Sequence, residues 1–556
     1  MKKFLSIFIF VFMIAGVFAQ SVSASGMDIH ISEDQNTGNI TISGTVPSET
    51  GKAVTILVLN PSRQIDFIDQ KNCDNDGSFS FSYKPNTSGM YTVKISSAVP
   101  EGSGETTFNY EGNNNGNNGN NGNNGNNGNN GNNGNNGNNG NNGNNGNNGN
   151  SGNNNTPATP ARNPVIPANA VKLEVKAELD KANGTANAAV VTAALNAAMA
   201  QAKTNADGTK VVVLGVTKVE GAKQYDLKMP ASALTTGVGT QKFAIETALG
   251  TVVAPGNMLA NAGLQASSEV ALNIGEADKS KLSDEVKEKI GTRPVVEINV
   301  SVDGKKVNYN NPNAPVIVAI PYKPTAEEFK NLEHIVVWYV NGAGQAVPVP
   351  NGRYDALSGT VVFTTTHFSQ YAVAYVMKSF SDLKDFAWAK DKVEVMASKG
   401  IISGTSETTF TPGAKITRAD FTLLLMKSLE LTAKADINFN DVKATDYYYD
   451  AVGAAKTLGI VNGQGDNEFN PSEEISRQDM MVIAARALRV ANKLQANAGT
   501  DLSGFMDKAL VEDYAAADIS ALIRAGLIEG DNGAIHPLGN TTRAEAAVLM
   551  YRIYNK

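Results

Sequence analysis

A short phrase that occurs three times in the last third of the chain is the feature that most restricts the possible folds. Each copy has Thr or Ser, then Arg, and an acidic residue two positions after the Arg; the copies begin at Thr417, Ser476 and Thr542. The first two copies lie 59 residues apart, and the second and third lie 66 apart. Similarity at a nearly constant spacing indicates an array of structural repeats.

Other landmarks recur in step with this phrase. Each repeat opens with Phe and, two positions later, Asp, then runs through apolar residues to two glycines, and has a proline five residues before the Thr or Ser. The opening pairs are Phe380 with Asp382, Phe439 with Asp441 and Phe505 with Asp507; the glycines are Gly400 and Gly404, Gly459 and Gly463, Gly526 and Gly530. We call the repeats module 1 (379–432), module 2 (438–492) and module 3 (504–556).

The pattern within a module predicts two helices joined by a loop. In module 1, apolar residues spaced by three and four from Phe386 to Ala397 predict a helix that Gly400 ends. Thr417 is a predicted N-cap, and Asp420 completes a variant of the capping box. One such unit is too small to bury a core, whereas three together can.

The frame of the array resembles that of the S-layer homology (SLH) family, in which three tandem copies are usual. The resemblance rests on the F-x-D opening, the glycine pair and the [TS]-R-x-[DE] helix start, and it extends over residues 379–555. It implies an all-α, pseudo-threefold bundle. It also implies non-covalent binding, in grooves between modules, of a secondary cell-wall polysaccharide that carries pyruvylated N-acetylmannosamine.

The resemblance also implies roles for residues at the repeated positions. Arginines would meet the sugar carboxylate, aspartates would accept hydrogen bonds from sugar hydroxyls, and glycines would let the backbone approach the sugar; these are Arg418, Arg477, Arg543, Asp382, Asp441, Asp507, Gly404, Gly463 and Gly530. A forked, permanently charged donor at a helix N-terminus suits a carboxylate. The alternative is that each Arg clamps its neighbouring acidic residue.

The three copies of the motif are not identical. Ser476 and Gln478 alter it in module 2, and Ile535 with His536 replaces the Phe and polar residue before the proline in module 3. Arg418 is therefore the predicted dominant residue. Trp388, on the helix that precedes it, either offers a flat face to a sugar ring or belongs to the core.

The N-terminal part predicts export and display. Residues 1–24 have two lysines, an apolar run and small residues, which is typical of a cleaved signal peptide, with an uncleaved anchor as the alternative. No later stretch is long and apolar enough for stable membrane insertion.

Residues 27–110 alternate apolar and polar residues and predict an immunoglobulin-like β-sandwich. Asp74 and Asp76 form either a hairpin turn or a Ca²⁺ loop. Residues 111–168, rich in Asn, Gly and Pro, predict a disordered linker.

Residues 171–377 predict a mainly β region of one or two subdomains, with a helix in the Ala-rich run from Ala186 to Lys203 and another from Lys279 to Ile290. His334 and His367 have no acid or cysteine at a catalytic or ligand spacing, so they are interpreted as structural. The region holds no G-x-S-x-G elbow and no His/Cys cluster. These observations predict no enzymatic activity, no cofactor and no metal site.

Charge and cysteine content exclude further classes. The chain has 47 basic and 54 acidic residues, which argues against nucleic-acid binding, and the single Cys73 cannot form an intramolecular disulfide. Together the patterns predict a secreted multidomain protein on the wall of a Gram-positive-type bacterium, anchored by modules 1–3. Two alternatives stay open: a subunit that self-associates in a surface-layer lattice, and a wall-bound enzyme with its catalytic site in residues 171–377.

Overall fold

The computed structural model describes residues 20–24, 27–34, 37–46, 53–61, 65–74, 76–85, 87–97, 103–110, 166–167, 169–235, 239–265, 267–435, 437–495 and 499–556. It forms two compact units, residues 1–161 and 162–556. Positions 1–19 of the predicted signal peptide and almost all of the predicted linker lie outside the described residues. Within the described part, no helix has the length and apolar character needed to cross a bilayer.

In the described part of the first unit, eight strands form two antiparallel sheets of four. One sheet has the order β1 (Gln20–Ala24), β2 (Met27–Asp34), β3 (Asn39–Thr45), β6 (Ser78–Tyr83); the other has the order β5 (Ile65–Asn72), β4 (Ala53–Leu59), β7 (Gly89–Ser97), β8 (Ser103–Tyr110). Burial alternates along β3 and β6, as expected for strands with one buried face. Ile42 and Phe81 from the first sheet and Ile56 and Tyr91 from the second belong to one hydrophobic core. The prediction of a β-rich N-terminal region is confirmed.

The acidic turn between β5 and β6 is held by hydrogen bonds to its own residues. Asp76 accepts a bond from the Ser78 backbone N–H at 3.0 Å, and Asp74 accepts one from the Ser78 hydroxyl at 3.4 Å. No group of three His, Cys, Asp or Glu side chains within the described ranges is placed to hold a metal ion. Because β5 and β6 belong to different sheets, the turn passes from one sheet to the other and is not the hairpin turn predicted from the sequence.

The second unit begins with two sheets that make up residues 171–377. The larger follows the order β10 (Ala177–Asp180), β11 (Thr185–Ala189), β13 (Gln224–Pro230), β16 (Glu269–Glu276), β17 (Val295–Val302), β24 (Gln370–Tyr375), β20 (Ile335–Val340), β21 (Ala346–Val349), with β18 (Lys305–Val307) paired to β17. The smaller follows the order β22 (Arg353–Asp355), β23 (Thr360–Thr365), β19 (Val316–Pro321), β15 (Gly250–Pro255), β14 (Gln241–Thr247), β12 (Lys210–Val216), β9 (Val171–Val175).

Both sheets continue from the first half of this region into the second. Pairing of β16 with β17 and of β15 with β19 joins the halves, and one hydrophobic core contains Leu214 and Phe363 of the smaller sheet with Leu227 and Ile298 of the larger. The described residues of 171–377 thus form one region of two sheets, whereas the sequence analysis allowed either one or two subdomains.

Three short α-helices accompany the sheets in the part of this region that the structure describes: α1 (Thr192–Gln201), α2 (Ser232–Thr235) and α3 (Asp284–Ile290). The helix predicted from Lys279 to Ile290 is present only as α3, with Ser283 as N-cap and Gly291 at its end with φ 57°, whereas residues 279–281 form a separate 3-10 turn. The helix predicted for the Ala-rich run is wrong in its first third, because residues 185–189 form β11 in parallel pairing with β13.

The described residues of the array form six α-helices, two in each module: α4 (Ala387–Ser398), α5 (Arg418–Leu429), α6 (Tyr449–Thr457), α7 (Arg477–Val490), α8 (Asp513–Arg524) and α9 (Arg543–Tyr554). Thr417, Ser476 and Thr542 cap the second helices by accepting from the backbone N–H three residues later, and only Thr542 has the complete capping box. The helical C-terminal region is confirmed.

The three modules share a core and exchange hydrogen bonds in a closed circuit. The Ile416 N–H donates to Thr541 O, the Thr541 N–H to Ile475 O and the Ile475 N–H to Ile416 O, each at 3.0 Å. The helices pack in pairs across module boundaries: α4 with α9, α5 with α6, and α7 with α8. No module therefore completes its own packing.

Candidate functional site

The three opening aspartates are bound to the backbone of their own loops. The Asp382 carboxylate accepts the Phe410 N–H at 2.9 Å and the Thr411 N–H at 2.7 Å. Asp441 accepts from Phe469 and Asn470, and Asp507 from Ile535 and His536, at the same distances. Each aspartate thus ties the start of its module to the loop before the second helix.

These bonds decide the ionisation of two of the aspartates. Partial burial raises the pKa of Asp382 and of Asp507, but the backbone N–H groups outweigh it and hold both below the ordinary value. Both carboxylates are half-buried and retain free acceptor positions. A bond to a sugar hydroxyl is compatible with this geometry, and that role stays a prediction.

Gly404, Gly463 and Gly530 lie where the same loops turn back on themselves. A Cβ atom would come within 2.3 Å of the Ser406 oxygen at the first position, 2.3 Å of the Glu468 oxygen at the second and 2.7 Å of the Ala534 oxygen at the third. It would also meet the ring of the opening Phe in each module. Close approach within the loop explains these glycines; approach of a sugar to them stays a prediction.

Each repeated arginine reaches into the next module. Arg418 Nε donates to Phe469 O at 3.0 Å, Arg477 Nε to Ile535 O at 2.9 Å, and Arg543 Nε to Phe410 O at 3.0 Å. The guanidinium groups of Arg418 and Arg543 also lie over the rings of Phe469 and Phe410. These bonds run from module 1 to 2, from 2 to 3 and from 3 back to 1.

The acidic partner of an arginine, where it has one, belongs to the neighbouring module. Arg477 Nη1 is 2.7 Å from Glu545 Oε1, whereas Arg418 Nη1 is 3.8 Å from Asp479 Oδ2. Among the described residues, Arg543 has no carboxylate within 4.0 Å; its Nη2 donates to Ser403 O at 2.9 Å. The clamp on the arginine's own neighbouring acid, the alternative weighed from sequence, is not the arrangement found.

The arginines also differ in burial. Arg418 is 6% exposed, and burial lowers its pKa, an effect that the Asp479 carboxylate partly offsets. Arg543 is half-buried, and burial lowers its pKa against the opposing charges of Asp420 and Asp382. With an ordinary pKa above 12, a guanidinium stays charged under such shifts.

An exposed aromatic residue stands near the start of the first helix of every module. Trp388 and Tyr447 follow the opening Phe by eight positions and Tyr514 by nine, and they are 51%, 70% and 53% exposed. Trp388 is therefore not a core residue. The sequence analysis missed Tyr447 and Tyr514, although their position in the repeat, equivalent to that of Trp388, could have revealed them.

The tyrosines complete two composite sites. Tyr447 OH donates to Asp420 at 2.5 Å and Tyr514 OH to Asp479 at 2.8 Å. Burial, then the bond to Asp420, raises the pKa of Tyr447, so it stays a donor. Trp388 holds this position in module 1, whose α4 packs on α9, the helix that carries Glu545.

Three boundary sites result, each with an Arg, an acid and an aromatic residue from three different modules. The Arg418 site has Asp479 and Tyr514, the Arg543 site has Asp420 and Tyr447, and the Arg477 site has Glu545 and, by its place in the repeat, Trp388. A charged fork at a helix N-terminus beside an exposed ring is an arrangement that can hold an anionic sugar.

Comparison with known proteins identifies the array. The profile of the "S-layer homology domain" matches residues 379–422, 438–481 and 505–547. The C-terminal region consists of three SLH domains. SLH domains anchor proteins to the cell wall, and this chain is accordingly a protein of the cell-wall surface.

Relatives of the chain include enzymes and surface-layer proteins. The chain is 30% identical over 375 residues to "Amylopullulanase" of Thermoanaerobacterium thermosulfurigenes. This alignment covers 67% of this chain and 19% of that protein. It is 36% identical over 181 residues to "Exoglucanase XynX" of Acetivibrio thermocellus, with 32% and 16% covered. It is 31% identical over 204 residues to "Surface-layer 125 kDa protein" of Lysinibacillus sphaericus, with 36% and 17% covered.

The chain thus spans less than a fifth of the length of each of these three relatives. Two of them are named as enzymes that carry a region similar to this one. The prediction of no enzymatic activity, made from missing motifs, is contradicted by this finding. Motif absence was a weak argument, because glycan-cleaving carboxylates have no fixed spacing in sequence.

Replacing Asp382 tests the role of the opening aspartates. Asp382→Ala is expected to lower the free energy of unfolding of residues 162–556 by about 1–2 kcal/mol, because two backbone N–H groups lose their acceptor at a half-exposed place. Denaturant titration measures this change, and the exposed Asp385→Ala provides the control. The difference from wild type should be full above about pH 4 and shrink as the pH falls through the lowered pKa of Asp382. An unchanged midpoint at pH 7 would contradict the assignment.

Proposed function

We propose that the three SLH domains hold this protein on the cell wall by binding a secondary wall polysaccharide that carries pyruvylated N-acetylmannosamine. The observation that supports this most is the repeated composite site, in which an arginine at a helix N-terminus lies at every module boundary. Residues 379–556 contain 24 acidic and 19 basic residues, a net charge of −5. Diffuse charge would repel an anionic polymer, so placed arginines must hold it.

The finer architecture proposed for the array is a pseudo-threefold bundle. Its support is the closed circuit of three backbone hydrogen bonds and the cyclic reach of the three arginines. Within each boundary site we assign the sugar carboxylate to the Arg. The remaining acceptor positions of Asp382, Asp441 and Asp507 take sugar hydroxyls, and the exposed aromatic residue takes the face of the ring.

The first unit, in this proposal, is an immunoglobulin-like module displayed away from the wall. Its support is the pair of four-stranded sheets around one core. The surface-layer relative favours self-association of the protein in a surface layer as a second partner interaction. Wall binding and self-association are compatible, because the polysaccharide takes only the boundary sites and leaves other surfaces for contacts between copies of the chain.

The whole chain is expected to bind purified cell walls that retain their secondary polysaccharide, and to lose binding once the polysaccharide is extracted. Cosedimentation with the two wall preparations measures this difference. Free pyruvylated N-acetylmannosamine should compete, whereas plain N-acetylmannosamine, which lacks the carboxylate, should compete less. Equal binding to stripped peptidoglycan would contradict the proposal.

The arginines are expected to contribute unequally. Arg543→Ala should weaken wall binding about tenfold to a hundredfold, because a hydrogen bond to a charged partner contributes about 1.5–3 kcal/mol. Arg477→Ala should matter less, since Glu545 already satisfies that guanidinium. Arg418, which the sequence ranked first, is more buried than Arg543 and faces Asp479.

The measurement for this ranking is a wall-binding isotherm together with the melting temperature of the same variant. Arg543→Lys should recover only part of the affinity, because the planar fork is lost. A lowered melting temperature with unchanged affinity of the folded protein would remove Arg543 from the binding site.

The enzyme relatives favour hydrolysis of a polysaccharide as a second candidate function. The 375 residues aligned with the amylopullulanase exceed the 178 residues from 379 to 556, so the similarity extends beyond the SLH domains. Release of reducing ends from pullulan, xylan and a β-glucan by the whole chain tests this candidate. Activity should appear on at least one of them, and no release above a heat-inactivated control would contradict it.

A further inference from the structure

One boundary of the array lacks a covalent connection. The chain itself links module 1 to module 2 and module 2 to module 3, but nothing in the order of the chain links module 3 back to module 1. At this boundary α4 of module 1 packs on α9 of module 3, and the Arg543 side chain crosses it to reach Phe410 O and Ser403 O. It is the boundary that depends most on non-covalent contacts.

The region of residues 171–377 contacts the module 3 side of this boundary at the end of α9. Both carboxylate oxygens of Glu333 accept from Tyr551 OH at 2.9 Å. Arg353 Nη2 donates to Tyr554 O at 3.2 Å, and the guanidinium lies 4.3 Å from the centre of the Tyr554 ring. Tyr554 O is one of the carbonyl groups that a helix C-terminus leaves without an intrahelical partner.

The same region contacts the module 1 side at the end of α4. His334 Nδ1 is 2.8 Å from Ser398 Oγ, and Lys399 Nζ donates to Gly352 O at 3.1 Å. A Cβ atom on Gly400 would come within 2.7 Å of the Pro348 ring, so this ring packs directly against the Gly400 backbone. Lys399 is 2% exposed, so its ammonium group is shielded from bulk solvent at this contact.

Charge and helix ends explain why this contact is specific. The negative ends of the α4 and α9 dipoles lie here, and Lys399 and Arg353 bring cations to them. Burial raises the pKa of the Glu333 carboxylate, which accepts from Tyr551, and the charges of Lys399 and Arg353 partly offset this effect. Arg353 Nη2 and Lys399 Nζ each have a backbone carbonyl acceptor in this arrangement, and a slipped or rotated arrangement would take that acceptor away from two buried cations.

We propose that residues 171–377 act as a structural part of the anchor, holding modules 1 and 3 together across the boundary that the chain does not connect. The region fixes the C-terminal ends of α4 and α9, and α9 carries Arg543 at its other end, about 18 Å away along a 12-residue helix. Independent support comes from the amylopullulanase alignment, which includes residues outside the SLH domains. This proposal does not rest on the proposed polysaccharide ligand.

Hydrogen exchange of the whole chain tests the proposal without any ligand. Arg353→Ala should raise amide exchange about tenfold or more in the C-terminal half of α9 and around residues 398–400, and leave α7 unchanged. The matched control is Arg489→Ala, which removes the 2.6 Å ion pair to Asp518 between modules 2 and 3 and should affect α7 and α8 instead. No change in α9, or the same rise in every helix, would overturn the proposal.

A second pair of variants keeps the proposal testable if Arg353→Ala does not fold. Glu333→Gln and Tyr551→Phe each change one side of the same contact while conserving its shape. If this contact holds the boundary, exchange in α9 should rise in each single variant, and the effect of the double variant should be smaller than the sum of the two single effects. Additive effects would overturn the proposal. Wall binding enters none of these measurements, so its outcome and that of the proposed function are separate.

Discussion

The closed circuit of bonds between modules is the constraint on which the rest of the array depends. In each module, the residue just before the N-cap of the second helix donates a backbone hydrogen bond to a carbonyl of another module. The arginine that starts the helix donates from its side chain to a carbonyl of the next module. Because three partners are needed to close the circuit, none of the modules has a complete core by itself. The boundary sites exist only because the helix N-termini are brought together in this way.

The local structure of the array could be predicted from sequence because its causes are local. The caps at Thr417, Ser476 and Thr542 follow from side chains three residues from the amides that they bind. The partners of the arginines could not be predicted, since Phe469, Ile535 and Phe410 lie in other modules. Tyr447 and Tyr514 were within reach of the repeat alignment, but a Tyr alone carries no chemical signal.

In the β-rich regions, pairing between distant strands limited what could be predicted from local sequence. Alternation of apolar residues was enough to predict β structure in residues 27–110, but not β1, which lies at residues 20–24 within the predicted signal peptide. The Ala-rich run is different, because high helix propensity predicted a helix where parallel pairing with β13 produces a strand at residues 185–189. Tertiary pairing overrode propensity there. Likewise, the contacts of Arg353 and Glu333 with α9 join positions about 200 residues apart in the chain.

The closed circuit also determines the order in which this protein can reach its native state. Lys415 in module 1 bonds Asn540 in module 3, across 125 residues, and the Ile416 amide bonds the adjacent Thr541. Module 1 cannot complete these bonds until module 3 is present. Such distant contacts slow folding, because the entropy of closing a long loop is lost before the contacts form. A chain synthesised or exported from its N-terminus therefore completes the proposed boundary sites only once α9 has been added.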